Sequence, residues 1–85
     1  SARAARAAWL GVLEQHHTAF CDQLSLAERF GAAAPWLDPY AATSLDEFFA
    51  VASEAYFVNR PRFAADFGGL LPMFDAFFRS QRPAG

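Results

Sequence analysis

Eighty-five residues hold one small domain or a piece of a larger one and exclude two folded domains, because single domains cluster near about 100–150 residues. Seven Lys+Arg against nine Asp+Glu give a net charge of -2, which excludes a phosphate-backbone binder built on a basic stripe. One cysteine, Cys21, excludes an internal disulfide, and no stretch approaches the roughly 18 apolar residues of a membrane span. No targeting segment is recognisable either, so the expectation is a cytoplasmic protein with no direct nucleic acid and no membrane as partner.

The first predicted element runs from about Ala2 to Glu28. Trp9, Leu13, His16, Phe20 and Leu24 recur at helical steps of three or four, with Glu14, Thr18 and Asp22 opposite. Gly31, Pro35 and Pro39 then predict an ordered loop over Ala32 to Thr43. A second helix is expected from Ser44 to about Val58. Ser44-Leu45-Asp46-Glu47 has capping-box spacing, and two acidic residues complement the positive helix end. Asn59-Arg60-Pro61 predicts a stop and a new start, giving a short third helix over Pro61 to Phe67 that ends at Gly68-Gly69. Pro72 opens a fourth, on which Leu71, Phe74, Phe77 and Phe78 share a face, and Ser80 to Gly85 reads as a frayed end. The fold class is therefore all-α, a small bundle of three to four helices.

The chemistry concentrates on the second helix. Nine of the twelve residues from Glu47 to Val58 are apolar and nearly encircle it, which predicts a buried helix. Glu47 and Glu54 lie two turns apart on one side of it, and a buried carboxylate needs a cation, a proton or a metal. For Glu47 the simplest role is the N3 member of the capping box, reaching back to the Ser44 amide. For Glu54 it is a salt bridge to Arg60, Arg62 or another chain. For Tyr40 it is an amphipathic ring covering the core from the proline-rich loop.

The segment Tyr40-Ala41-Ala42-Thr43-Ser44-Leu45-Asp46-Glu47, followed by Phe48-Phe49-Ala50-Val51, resembles the Mlc titration factor A (MtfA) family of zinc metallopeptidases and, with it, the related catalytic domain of anthrax lethal factor. Asp38, Ser53, Glu54 and Phe57 fit the same pattern, so the close likeness covers roughly Asp38 to Phe57. The resemblance implies that Glu47 is the third protein ligand of a zinc ion, beside the two histidines of a His-Glu-x-x-His motif. It also implies that Tyr40 is a catalytic tyrosine whose hydroxyl donates a hydrogen bond to the developing oxyanion. The implied partners are a peptide substrate and the transcriptional repressor Mlc, whose binding would relieve repression.

No His-Glu-x-x-His occurs in the 85 residues. Glu14-Gln15-His16-His17 has the ingredients in the wrong order, and adjacent helical histidines diverge by about 100°. His17 and Cys21, at i and i+4, are half of a tetrahedral ligand set. The expectation is thus a C-terminal portion of a larger metallopeptidase catalytic domain, inactive by itself and not holding zinc tightly. The alternative is a metal-free helical protein-interaction module. In either case ten Phe in so short a chain predict a sticky patch and self-association.

Overall fold

The computed structural model describes residues 1–80. Four α-helices and a 3-10 turn form an all-α bundle with no strand among the described residues. Helix α1 (Ala2–Phe30) starts at Ser1, whose hydroxyl accepts from the Ala4 amide, and runs two residues beyond Glu28. It stops because Gly31 takes up φ 72°, a left-handed conformation that glycine adopts freely, and donates its N–H to the Ala27 carbonyl. The expected apolar stripe is the one that packs: Leu13 and Phe20 are buried, and Trp9, His16 and Leu24 are half-buried.

Within the predicted loop, Pro39–Ala42 form a 3-10 turn. Asp38 caps it, with Oδ1 accepting the Tyr40 amide at 2.9 Å, and Pro39 sits at its first position, where a missing N–H does no harm. Helix α2 (Leu45–Val58) begins as the capping motif predicts, the Ser44 hydroxyl accepting from the Glu47 amide at 3.1 Å. Helix α3 (Arg60–Asp66) starts one residue earlier than Pro61, because the Asn59 side chain accepts from the Arg62 amide and serves as its cap. Helix α4 (Leu71–Ser80) carries Phe74 fully buried and Phe78 half-buried. Of the tail expected to fray, Ser80 closes α4 and residues 81–85 lie outside the described residues.

The core is largely aromatic. Phe48, Phe63, Phe74 and Leu70 are its largest fully enclosed side chains. Phe63 and Phe74 lie 5.1 Å apart between centroids, Phe20 and Phe48 5.9 Å, and Tyr56 meets Phe63 edge-on at 5.6 Å.

One face of α2 is not buried, which corrects the prediction of a helix enclosed all round. Phe48, Ala52 and Tyr56 point inward, but Phe57 is 62% and Val58 77% exposed, and Ala50 and Glu54 are exposed beside them. The other helices and the loop cover a single side of α2, so its apolar outer positions meet solvent.

A polar cluster ties three helices together. The Tyr56 hydroxyl donates to Asp75 Oδ1 at 2.5 Å, and Arg60 grips both carboxylate oxygens, at 2.5 and 3.4 Å. The hydrogen bond from Tyr56, then that from Arg60, hold the Asp75 carboxyl below its ordinary value, while the same bond to Asp75 and burial push the Tyr56 hydroxyl up. A carboxyl lowered in the folded state stabilises the fold above its unfolded value near 3.9, and that contribution is lost as pH falls through the folded value. The thermal midpoint of the chain is therefore expected to drop as pH falls below about 4, and Asp75→Asn should flatten that part of the profile, as followed by far-UV circular dichroism.

Candidate functional site

Tyr40 and Glu47 come from adjacent elements. Tyr40 is the second residue of the 3-10 turn, placed by the Asp38 cap, and its ring is 55% exposed. It does not cover the core, contrary to the simplest sequence reading. Its inward neighbour Ala41 does, with no exposed surface at all.

Glu47 lies in the first turn of α2 and is half-buried. Helical geometry puts it on the outward side with Ala50, Glu54 and Val58. The capping box is only half made. Ser44 accepts from the Glu47 amide, but the Glu47 carboxylate makes no hydrogen bond or ion pair among the described residues. Glu54 likewise has no partner among the described residues, which corrects the expected salt bridge to Arg60 or Arg62. Arg60 is taken by Asp75 and Arg62 by Asp66, at 3.0 Å, because those carboxylates stand one helix away and one turn on, respectively.

The two histidines of α1 diverge as helix geometry requires. His16 turns toward the α3–α4 junction. Its Nδ1–H donates to the Val12 carbonyl at 2.9 Å, the backbone-satisfied state expected of a core-edge histidine. Its other edge packs so close to Gly69 that a Cβ there would sit 2.9 Å from Nε2. His17 turns toward α2, its ring centroid 5.3 Å from that of Phe48. Its Nε2 lies 3.5 Å from Cys21 Sγ, and the Cys21 thiol faces the Ala42 carbonyl at 3.8 Å. Helix α1 thus buttresses the segment that runs from Tyr40 to Glu47.

These donors do not complete a zinc centre. Among the described residues no group of three His, Cys, Asp or Glu stands close enough to hold a metal ion, and His17, Cys21 and Glu47 do not converge. Among the described residues the Glu47 carboxylate and the Tyr40 hydroxyl, carried on adjacent elements, make no hydrogen bond or ion pair.

Two grooves share Trp36 of the loop as a wall. One of about 490 Å³ lies between α1, the loop and α3, with His16, Gln23, Trp36, Arg62 and Asp66 on its walls. The other, about 240 Å³, lies beside α2 and is edged by Asp38 and Glu54. Sequence reasoning missed both grooves and the Tyr56–Arg60–Asp75 cluster. The i, i+4 spacing of Tyr56 and Arg60 was a usable signal for the cluster, but their shared partner stands 15 residues beyond Arg60.

The sequence profile of the glucose-regulated metallo-peptidase M90 family matches residues 1–79, and the chain belongs to that family. Among curated proteins and among solved structures, nothing matches it.

Proposed function

We propose that this chain is the C-terminal part of a zinc-dependent peptidase of the Mlc titration factor A type, in which Glu47 is the third protein ligand and Tyr40 the oxyanion donor. A metallopeptidase family implies a metal in the whole protein, usually zinc, which acts there as a Lewis acid toward a peptide carbonyl. The observation that carries the reading is the unpartnered Glu47 carboxylate. The Ser44 hydroxyl accepts the Glu47 amide, but the reciprocal bond from the Ser44 amide to the Glu47 carboxylate is not made among the described residues, so the capping role that competes for those oxygens is not taken up. Helix α2 fixes the carboxylate, and the Asp38-capped turn fixes the Tyr40 backbone seven residues earlier. The Tyr40 hydroxyl, largely in solvent here, is available to an oxyanion forming at the same edge. The His-Glu-x-x-His helix belongs, on this proposal, to sequence outside these 85 residues, and it packs over the exposed outer face of α2.

The test is zinc content of the longer protein. Glu47→Ala should lower bound zinc by at least about tenfold relative to wild type, as removal of one of three protein ligands does, with the helical circular dichroism retained. Undiminished zinc in the variant would remove Glu47 from the ligand set.

A second reading is favoured by Phe30, Leu26, Phe57 and Val58, exposed at 74, 53, 62 and 77%. It is a metal-free helical interaction module that binds a partner, or a second copy, through these side chains. Under it, Glu47→Ala in the longer protein would leave metal content untouched. The repressor contact implied by the family likeness would belong to the same apolar surface.

A further inference from the structure

We propose that the groove between the Trp36–Asp38 segment and the outer side of α2 is a subsite for a basic side chain, lysine or arginine, of an extended peptide. Trp36, Leu37, Val51, Ala55 and Val58 supply its apolar lining. Asp38 and Glu54 line it as well. Asp38 uses Oδ1 to cap the Tyr40 turn and keeps Oδ2 free, and the Glu54 carboxylate has neither hydrogen bond nor ion pair among the described residues. The two arginines of α3 are engaged elsewhere. Arg60 is clamped on Asp75, and Arg62, which lies over the Trp36 ring at 5.2 Å, is held by Asp66.

Two carboxylates without an ion-pair partner among the described residues, in a groove otherwise lined by apolar side chains, are complementary to one kind of side chain. Lysine and arginine lay their methylene stems on apolar surface and carry a charged head at the end, whereas an aliphatic side chain would desolvate the carboxylates without pairing them and an acidic one would be repelled. The groove is also placed where a substrate would meet it. Asp38 positions the turn that bears Tyr40, and Glu54 stands two helical turns beyond Glu47 on the same side of α2. The assignment of this groove to a substrate peptide rests on the peptidase reading, but the binding is a property of the 85 residues themselves.

The experiment titrates the nitrogen-15-labelled chain with the blocked tripeptide acetyl-Ala-Lys-Ala-amide and follows the Trp36 indole N–H, assigned with Trp9→Phe. A saturable shift is expected. Replacing Lys by norleucine should weaken binding about three- to fivefold, replacing it by Glu should abolish the shift, and Glu54→Gln should weaken the lysine peptide by a similar three- to fivefold factor. Raising NaCl to about 0.5 M should erase the advantage of lysine over norleucine. Glu54 makes no bond in the fold, so its substitution leaves the helix intact, which circular dichroism verifies. Failure of the lysine peptide to saturate, equal affinity of the norleucine peptide, or a Glu54→Gln chain with unchanged affinity would each overturn the subsite. None of these results touches Glu47, and a Glu47→Ala protein that kept its zinc would leave the peptide binding standing.

Discussion

Phe48→Ala is expected to leave the chain largely unfolded at 25 °C. The ring has no exposed surface and stands at the meeting point of three elements, with centroids 5.3 Å from His17, 5.9 Å from Phe20 and 6.1 Å from Phe67. Truncating a buried Phe costs about 3–5 kcal/mol, the lost transfer energy plus the cavity left when the neighbours relax only in part. Against it stands a total of roughly 0.05–0.15 kcal/mol per residue, so about 4–13 kcal/mol for 85 residues. A chain this short, without a cross-link, belongs toward the lower end of that range. Phe57→Ala on the same helix is the matched control, because a ring 62% exposed has little burial to lose and its change should stay within about 0.5 kcal/mol of wild type. Urea unfolding followed at the helical circular-dichroism band separates the two. A Phe48→Ala chain that unfolded within about 1 kcal/mol of wild type would refute the packing of α2 on α1.

The contrast between these two phenylalanines marks how far the sequence could be read. Element positions were legible wherever one local device decided them: Ser44 at a capping box, Gly31 past the last apolar repeat, Pro72 in a first turn. The all-α class followed from helical periodicity alone. What a side chain faces across space was not legible. Periodicity shows that Phe48, Phe49, Phe57 and Val58 surround α2, but only tertiary placement decides that the first is enclosed and the last two are not. The same limit explains Glu54. Proximity along the chain put Arg60 and Arg62 among its expected partners, while in three dimensions Asp66 holds Arg62 and Asp75 offers Arg60 a two-oxygen grip beside the Tyr56 hydroxyl, a stronger arrangement than one exposed pair.

For Tyr40 and Glu47 the residues alone left bland roles open. Spacing within a family pattern raised them to site candidates, and membership of the metallopeptidase family over residues 1–79 supports keeping them there. The fold adds a physical reason of its own. Asp38, Ser44 and Asn59 spend their side chains on capping, so the segment between them is ordered without drawing on the Tyr40 hydroxyl or the Glu47 carboxylate. The two groups that the proposed mechanism uses are thereby left free by groups that it does not use.

Tyr40→Phe, made in the longer protein, should lower kcat about 10²–10³-fold while zinc content and KM stay near wild type. The change deletes one oxygen from a ring that is 55% exposed and takes no part in the core, so the fold has nothing to lose. A hydrogen bond that strengthens only as charge builds on the carbonyl oxygen contributes to the transition state and not to the ground state, which places its loss in kcat. Removing a single oxyanion donor is worth about 2.7–4 kcal/mol, hence the size of the effect. Steady-state kinetics on a chromogenic peptide, with metal analysis of the same preparation, reads both quantities at once. Equal losses of zinc and rate would mean that Tyr40 supports the metal site structurally, and an undiminished kcat would take the tyrosine out of the mechanism. Glu47→Ala sets the opposite pattern, metal and rate lost together, so the two variants distinguish a ligand from an oxyanion donor although only seven residues separate them.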